Sequence, residues 1–134
     1  MKQTVIVAKP PIYKACDAQF KIAGKPVLFS WGHSIYNPMD VDIPRYLLAH
    51  EAVHGERQLK IGIDLWWDKY LADASFRFEE ERVAHRAEWL SYSKWCKLEQ
   101  RAPYLEAVAG RLSGELYGNM VTLDEARTAI LRAS

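Results

Sequence analysis

Two hydrophobic rhythms divide the chain near residue 42. Before it, apolar residues come in short runs broken by turn formers, the pattern of extended segments. QTVIVA (3–8) reads as a strand ended by Pro10 and Pro11, since proline cannot donate to a sheet ladder. AQFKIA (18–23) and PVLFSW (26–31) read as two further strands, with Gly24 and Lys25 between them as a hairpin turn. HSIYN adds a short extended piece ahead of Pro38.

From Ile43 the spacing becomes helical. Ile43, Leu47, His50, His54 and Gln58 predict a helix over about 43–60, opened by Asp42 and Pro44 and stopped near Gly62. A second helix is expected over 63–70. A long third follows over 75–99, with Phe78, Val83, Ala87, Leu90 and Trp95 among its apolar positions. Pro103 is expected to open a fourth that ends near Gly110 or Gly114. Thr122 and Glu125 make a capping box for a last helix over 123–132. A small N-terminal antiparallel or mixed sheet followed by helices is an α+β layout.

Bulk properties change this picture little. A chain of 134 residues fits one domain, 1–134, with a real core. A formal charge of +1 and no basic run argue against nucleic acid as a partner. Five tryptophans and seven tyrosines predict a dense core or a partly aromatic groove. Cys16 and Cys96 form no metal-ligand spacing and read as free thiols rather than a disulfide framework. The apolar stretch of MKQTVIVAKPPIYK is too short for a signal peptide and nothing approaches a membrane span. The expectation is a cytoplasmic protein that does not insert into membranes.

The chemistry concentrates in LLAHEAVHGERQ (47–58). Side chains four apart share a helix face, so His50 and His54 can converge on one ion while Glu51 points a quarter-turn away. Zinc suits neutral imidazole nitrogens, and a catalytic zinc keeps one position open for water. A carboxylate beside that water takes its proton and returns it to the leaving group, the H-E-x-x-H arrangement of zinc peptidases. A zinc ion, His50 and His54 as ligands and Glu51 as general base are therefore expected. The extended pattern with a third histidine is excluded, because Arg57 and Lys60 stand where glycine and histidine would be. A third ligand must come from a later helix, and RFEEERVAHRAEW (77–89) offers Glu79, Glu80, Glu81, His85 and Glu88.

HEAVH followed downstream by Glu81-Arg82-Val83-Ala84 resembles the gluzincin metallopeptidases, which join HExxH to a glutamate on a later helix. The likeness is to gluzincins with an ExxA second motif and to small stand-alone zincins of bacteria and phages. GHSIYNP (32–38) resembles the short strand those zincins place before HExxH, so the resemblance covers about residues 32–89. It implies a helical zincin core, Glu81 as the third ligand and Ala84 as a close packing contact between the two helices. It also implies a peptide or protein substrate, paired as an added strand along residues 26–36. The chain departs from the pattern at His85, where the family has aspartate. His85 either orients a ligand or binds the metal itself.

A peptidase also needs a donor for the tetrahedral oxyanion. Tyr92, His85, His33 and Tyr117 are the candidates, with nothing in their spacing to choose among them. Gln58 reads as a helix-surface amide or a neighbour of the metal, and Trp66 and Trp67 as packing for the second helix. The rival to a peptidase is a zincin-fold protein-binding module whose zinc is structural or vestigial. A protease of DNA-bound proteins is a further rival, which the near-neutral charge disfavours.

Overall fold

A computed structural model describes residues 3–133. Among them the order is β1 (Thr4–Ile6), α1 (Tyr13–Phe20), β2 (Phe29–Trp31), β3 (Ser34–Tyr36), α2 (Arg45–Ile61), α3 (Ile63–Ala72), α4 (Ala74–Trp95), α5 (Leu98–Leu112), a 3-10 turn (Glu115–Tyr117) and α6 (Leu123–Leu131). This is a mixed α+β arrangement, mostly helical. The small sheet has the order β1-β3-β2, with β1 parallel and β2 antiparallel to β3. No helix of the described residues is long and apolar enough to cross a membrane.

The N-terminal third departs from the expected pattern. Residues 18–23 are not a strand: α1 runs through Phe20 and is closed by Lys21 in the left-handed conformation (φ 54°). Ile12, Cys16 and Phe20 recur at intervals of four, so they share one face and pack against α3. That helical register overrides the short apolar run. The hairpin accordingly moves from Gly24–Lys25 to Gly32–His33, where Gly32 supplies the positive φ (62°) that a tight hairpin turn needs.

The helices agree better in place than in boundaries. Pro44 is extended and caps α2, and Gly62 (φ 102°) ends it while opening α3. Asp73 then starts α4 by accepting from the N–H groups of Ser75 and Phe76 at 3.0 and 3.1 Å. α4 stops at Trp95, short of the expected end. Pro103 lies inside α5 and does not begin it; the start is set by Lys97, whose N–H donates to the Gln100 side chain at 2.9 Å. Thr122 and Glu125 cap α6 reciprocally, as expected. Its last carbonyls accept from two α4 guanidiniums, Arg82 to Ala129 and Arg132, and Arg86 to Ile130 and Leu131.

Two apolar clusters form. Cys16, Ile22, Phe29, Trp66, Trp67 and Tyr70 join α1, β2 and α3, which bears out the packing role of the two tryptophans. Leu105, Val108, Ala109, Leu112, Ala126 and Ile130 join α5 and α6. α2 and α4 run between them, and their buried face is polar. α4 buries Glu80, Glu81, Arg82, His85 and Glu88 around Ala84, whereas Leu90 and Trp95 are exposed. Charged side chains are almost never buried unless paired, so this inverted stripe marks the place to look for chemistry.

Candidate metal centre

α2 delivers His50 and His54 one turn apart, with ring centroids 5.0 Å from each other. α4 delivers Glu81 between them. His50 Nε2 lies 3.3 Å from Glu81 Oε1, and His54 Nε2 lies 3.2 Å from Oε2. All three are buried. The Tyr70 hydroxyl donates to Oε2 at 2.6 Å, but Oε1 has no hydrogen-bond partner. That oxygen lies 3.3 Å from His50 Nε2 and 3.5 Å from His85 Nδ1; a buried carboxylate ringed by imidazoles is an arrangement that accommodates a bound cation in place of the imidazole protons. The donor set, two imidazoles and a carboxylate, is one that zinc accepts.

The neighbouring acids are committed elsewhere. Glu80 accepts two bonds from Arg57, at 2.7 and 2.6 Å, and one from the Trp66 indole at 2.7 Å. Glu79 pairs with Arg82 at the protein's edge. Of the three consecutive glutamates, only Glu81 turns toward the histidines.

Glu51 reaches the same space. Its Oε2 is 3.7 Å from His50 Nε2, and the Ser30 hydroxyl lies 2.8 Å from both its Oε1 and its backbone carbonyl. β2 therefore clamps the carboxylate from below. Burial raises the pKa of Glu51 above the ordinary carboxylate range, with His50 and His54 opposing. Burial would likewise raise Glu81, but His54 and His50 outweigh it and hold Glu81 well below that range. For His50, burial works to lower the pKa, yet Glu81, Glu88 and Glu51 lift it to about 10.

Behind His50 stands Glu88, one of the acids open as a ligand from sequence. It is not against the carboxylate of Glu81; its Oε1 is 2.9 Å from His50 Nδ1, on the far side of the ring. Its other oxygen accepts from the Tyr104 hydroxyl at 2.6 Å and from the Arg111 guanidinium, both on α5. Burial opposes its ionisation, but His50, Arg111 and Tyr104 hold its pKa at about 2. A carboxylate that accepts from Nδ1–H holds the ring so that Nε2 is the nitrogen a metal would take, in exchange for its proton.

His85 lies one turn beyond Glu81, its ring 4.7 Å from that of His50. By distance alone His50, Glu81 and His85 form the tightest group, with candidate ligating atoms within 4.8 Å of one another. Yet the His85 nitrogen nearest Glu81 is Nδ1, and that atom is 2.6 Å from the Glu81 backbone carbonyl, a bond it must donate. His54 presents its Nε2 to Glu81 Oε2 at 3.2 Å, and the second His85 nitrogen, Nε2, is buried without a hydrogen bond, so each of the two histidines keeps one nitrogen that a metal could take. Burial, with the charge of His50, lowers the His85 pKa to about 3 and keeps its ring neutral.

Of the oxyanion candidates, Tyr92 does not reach the site. It stacks on Tyr104 at 3.7 Å and 8° and lines a separate depression with Arg45 and Trp95. Its position two turns past His85, near the end of α4, carries it beyond the metal cluster. His33 sits exposed on the hairpin turn. Tyr117, on the 3-10 turn, lines the cavity over the histidines and meets His85 edge-on at 5.7 Å. Burial raises its hydroxyl pKa well above the usual value, and Glu81 adds to it.

Gln58 is neither surface amide nor metal neighbour. It donates to the Ser30 carbonyl at 2.9 Å and accepts from Gly32 N–H at 2.7 Å, sealing the outer edge of β2. Trp67 also donates to Ser30, at 3.2 Å. An added substrate strand has no room along this part of residues 26–36, and β3 lies inside the sheet. Apart from the Gly32–His33 turn, the part of this stretch outside strand pairing is 26–28, which precedes β2 and lines the cavity.

Ser30, Tyr70, Tyr104 and Arg111 were invisible to sequence reasoning, since each meets its partner across a long stretch of chain. Glu88 carried a faint signal: it falls seven residues after Glu81, on the same helix face. The cavity above the cluster has a volume of about 550 Å³. No protein-family model, no characterised protein and no solved structure matches the chain.

Proposed function

We propose that the protein is a zinc-dependent peptidase of gluzincin type. His50, His54 and Glu81 would hold one zinc ion, which when bound supplies Lewis-acid activation of water and of a substrate carbonyl. Glu51 takes the proton from the attacking water and returns it to the leaving amine. Its raised pKa suits a group that must hold a proton for part of the cycle. Ser30 keeps its carboxylate aimed, and Glu88 keeps the His50 tautomer. Tyr117 is the donor best placed for the developing oxyanion, since it alone of the tyrosines considered from sequence lines the cavity.

One observation carries this reading. Two imidazole nitrogens on one helix face the two oxygens of a single buried carboxylate, one of them without a partner, under an open cavity. Glu51→Gln tests it. That protein should keep stoichiometric zinc and lose peptide hydrolysis by about 10²- to 10⁴-fold; zinc retention with undiminished turnover would exclude Glu51 as the base.

The closeness of His85 supports a second reading, in which it closes a fourth coordination position and the zinc is structural. His85→Gln separates the two. Zinc affinity should hold if His85 is a neighbour and fall sharply if it is a ligand.

A further inference from the structure

The α5 wall of the cavity carries a guanidinium with donors left over. Arg111 lines the cavity, and its side chain is 48% exposed. Among the described residues it donates to Glu88 alone, through one terminal nitrogen. A guanidinium carries several more N–H groups, and these have no acceptor there. Glu115, one turn further on, also lines the cavity, yet the ion pairs of Arg111 among the described residues stop at Glu88. Lys25, the other cation of the lining, is exposed and offers a mobile point charge, not a fixed fork.

Position gives this cation a use. Only the Glu88 carboxylate and the His50 ring stand between Arg111 and the Nε2 that faces Glu81. That path is no longer than roughly three extended residues at about 3.5 Å each. The sheet offers a substrate little grip, because Gln58 and Trp67 seal the outer edge of β2. A peptide with no room as an added strand must be held by other groups. A cavity of about 550 Å³ suits a small ligand or a chain end. The group that a half-exposed guanidinium recognises best is a planar carboxylate, taken on two parallel N–H bonds.

We propose that Arg111 receives the C-terminal carboxylate of a peptide, so that the chain trims free C-termini within about three residues of the end. The cut rests on the peptidase reading; the carboxylate site rests on Arg111 itself. In the cut, the hydroxyl of water adds to the scissile carbonyl carbon and the C–N bond breaks. The remaining water proton passes through Glu51 to the new amine. The released piece keeps its carboxylate on Arg111, and the longer fragment leaves with a new one.

One peptide sequence, made as free acid and as C-terminal amide, tests this with the zinc-loaded full-length chain. Product masses should show losses from the C-terminal end, and amidation should lower kcat/KM by about 10- to 100-fold, mainly through KM. In Arg111→Gln the acid-to-amide ratio should fall toward one, and Arg111→Lys should keep part of it. An Arg111 that only braces Glu88 would slow both peptides alike, so an unaltered ratio in folded, zinc-loaded Arg111→Gln would overturn the proposal. So would cuts scattered through the interior whatever the terminus, or an amide ending in Glu cleaved as fast as the free acid.

A binding arm keeps the two readings apart. Zinc-loaded Glu51→Gln protein should bind N-acetylglycylglycine at least about tenfold more tightly than its amide, and adding Arg111→Gln should remove the difference. That result with no cleavage of any peptide sinks the peptidase reading and keeps the carboxylate site. Equal binding of acid and amide, or a preference that survives Arg111→Gln, sinks the site whatever the cleavage result.

Discussion

Glu88 is wholly buried and ionised, a costly state that the chain stabilises with three donors from two helices. Its work is at the second nitrogen of His50. Glu88→Gln keeps the shape but removes the charge, and should weaken zinc binding by about 10- to 100-fold in competition with a chelator of known affinity. Unchanged affinity would mean that His50 needs no such support. Cys16 shows a simpler effect of burial, which pushes its thiol up to about 11 from an ordinary value of 9.0. The unfolded chain would then release this proton first as pH rises. Stability is therefore present below pH 9 and lost between 9 and 11, by up to about 3 kcal/mol. Denaturant titrations at pH 8 and pH 10.5 should show the loss, and Cys16→Ala should abolish its part of it.

At the scale of elements, the site depends on how closely α2 meets the hairpin. A Cβ on Gly55 would lie 2.1 Å from the Gly32 carbonyl oxygen, a contact that no side-chain rotation relieves. Gly55→Ala should destabilise the protein by about 3 kcal/mol or more, although alanine is otherwise the better helix former. Gly110 supplies the control. It lies exposed in α5 with nothing within 4 Å of an added Cβ, so Gly110→Ala should gain about 0.5–1 kcal/mol. Equilibrium unfolding in urea reads both, and a neutral Gly55→Ala would mean the helix and hairpin can part without cost. The α2 helix was legible from sequence because its evidence is local: a four-residue recurrence between Pro44 and Gly62. The N-terminal region was not. AQFKIA has the composition of a strand, and only the match of Cys16 and Phe20 to the α3 face decides for helix.

Across the whole molecule, two apolar clusters hold a polar seam between them. Folding must desolvate Glu81, Glu88 and the histidines of α2 to form that seam, and a bound cation would offset part of the cost. Zinc at about a thousand times its dissociation constant should raise unfolding free energy by about 4 kcal/mol, and chelation should reverse the gain. Glu81→Ala should lose this response. A zinc-dependent shift that survives Glu81→Ala would place the ion elsewhere.

What the chain alone determines is what lies within a few turns of helix. His50 and His54 share a face because helical geometry allows nothing else at that spacing, and Glu51 follows them for the same reason. Tertiary structure decides what those residues meet. It turns Glu81 inward while Arg57 and Trp66 take Glu80, brings Glu88 behind His50, puts Ser30 under Glu51 and keeps Tyr92 away. Those choices come from packing between elements distant along the chain, where a side chain's direction follows from its neighbours and not from its spacing.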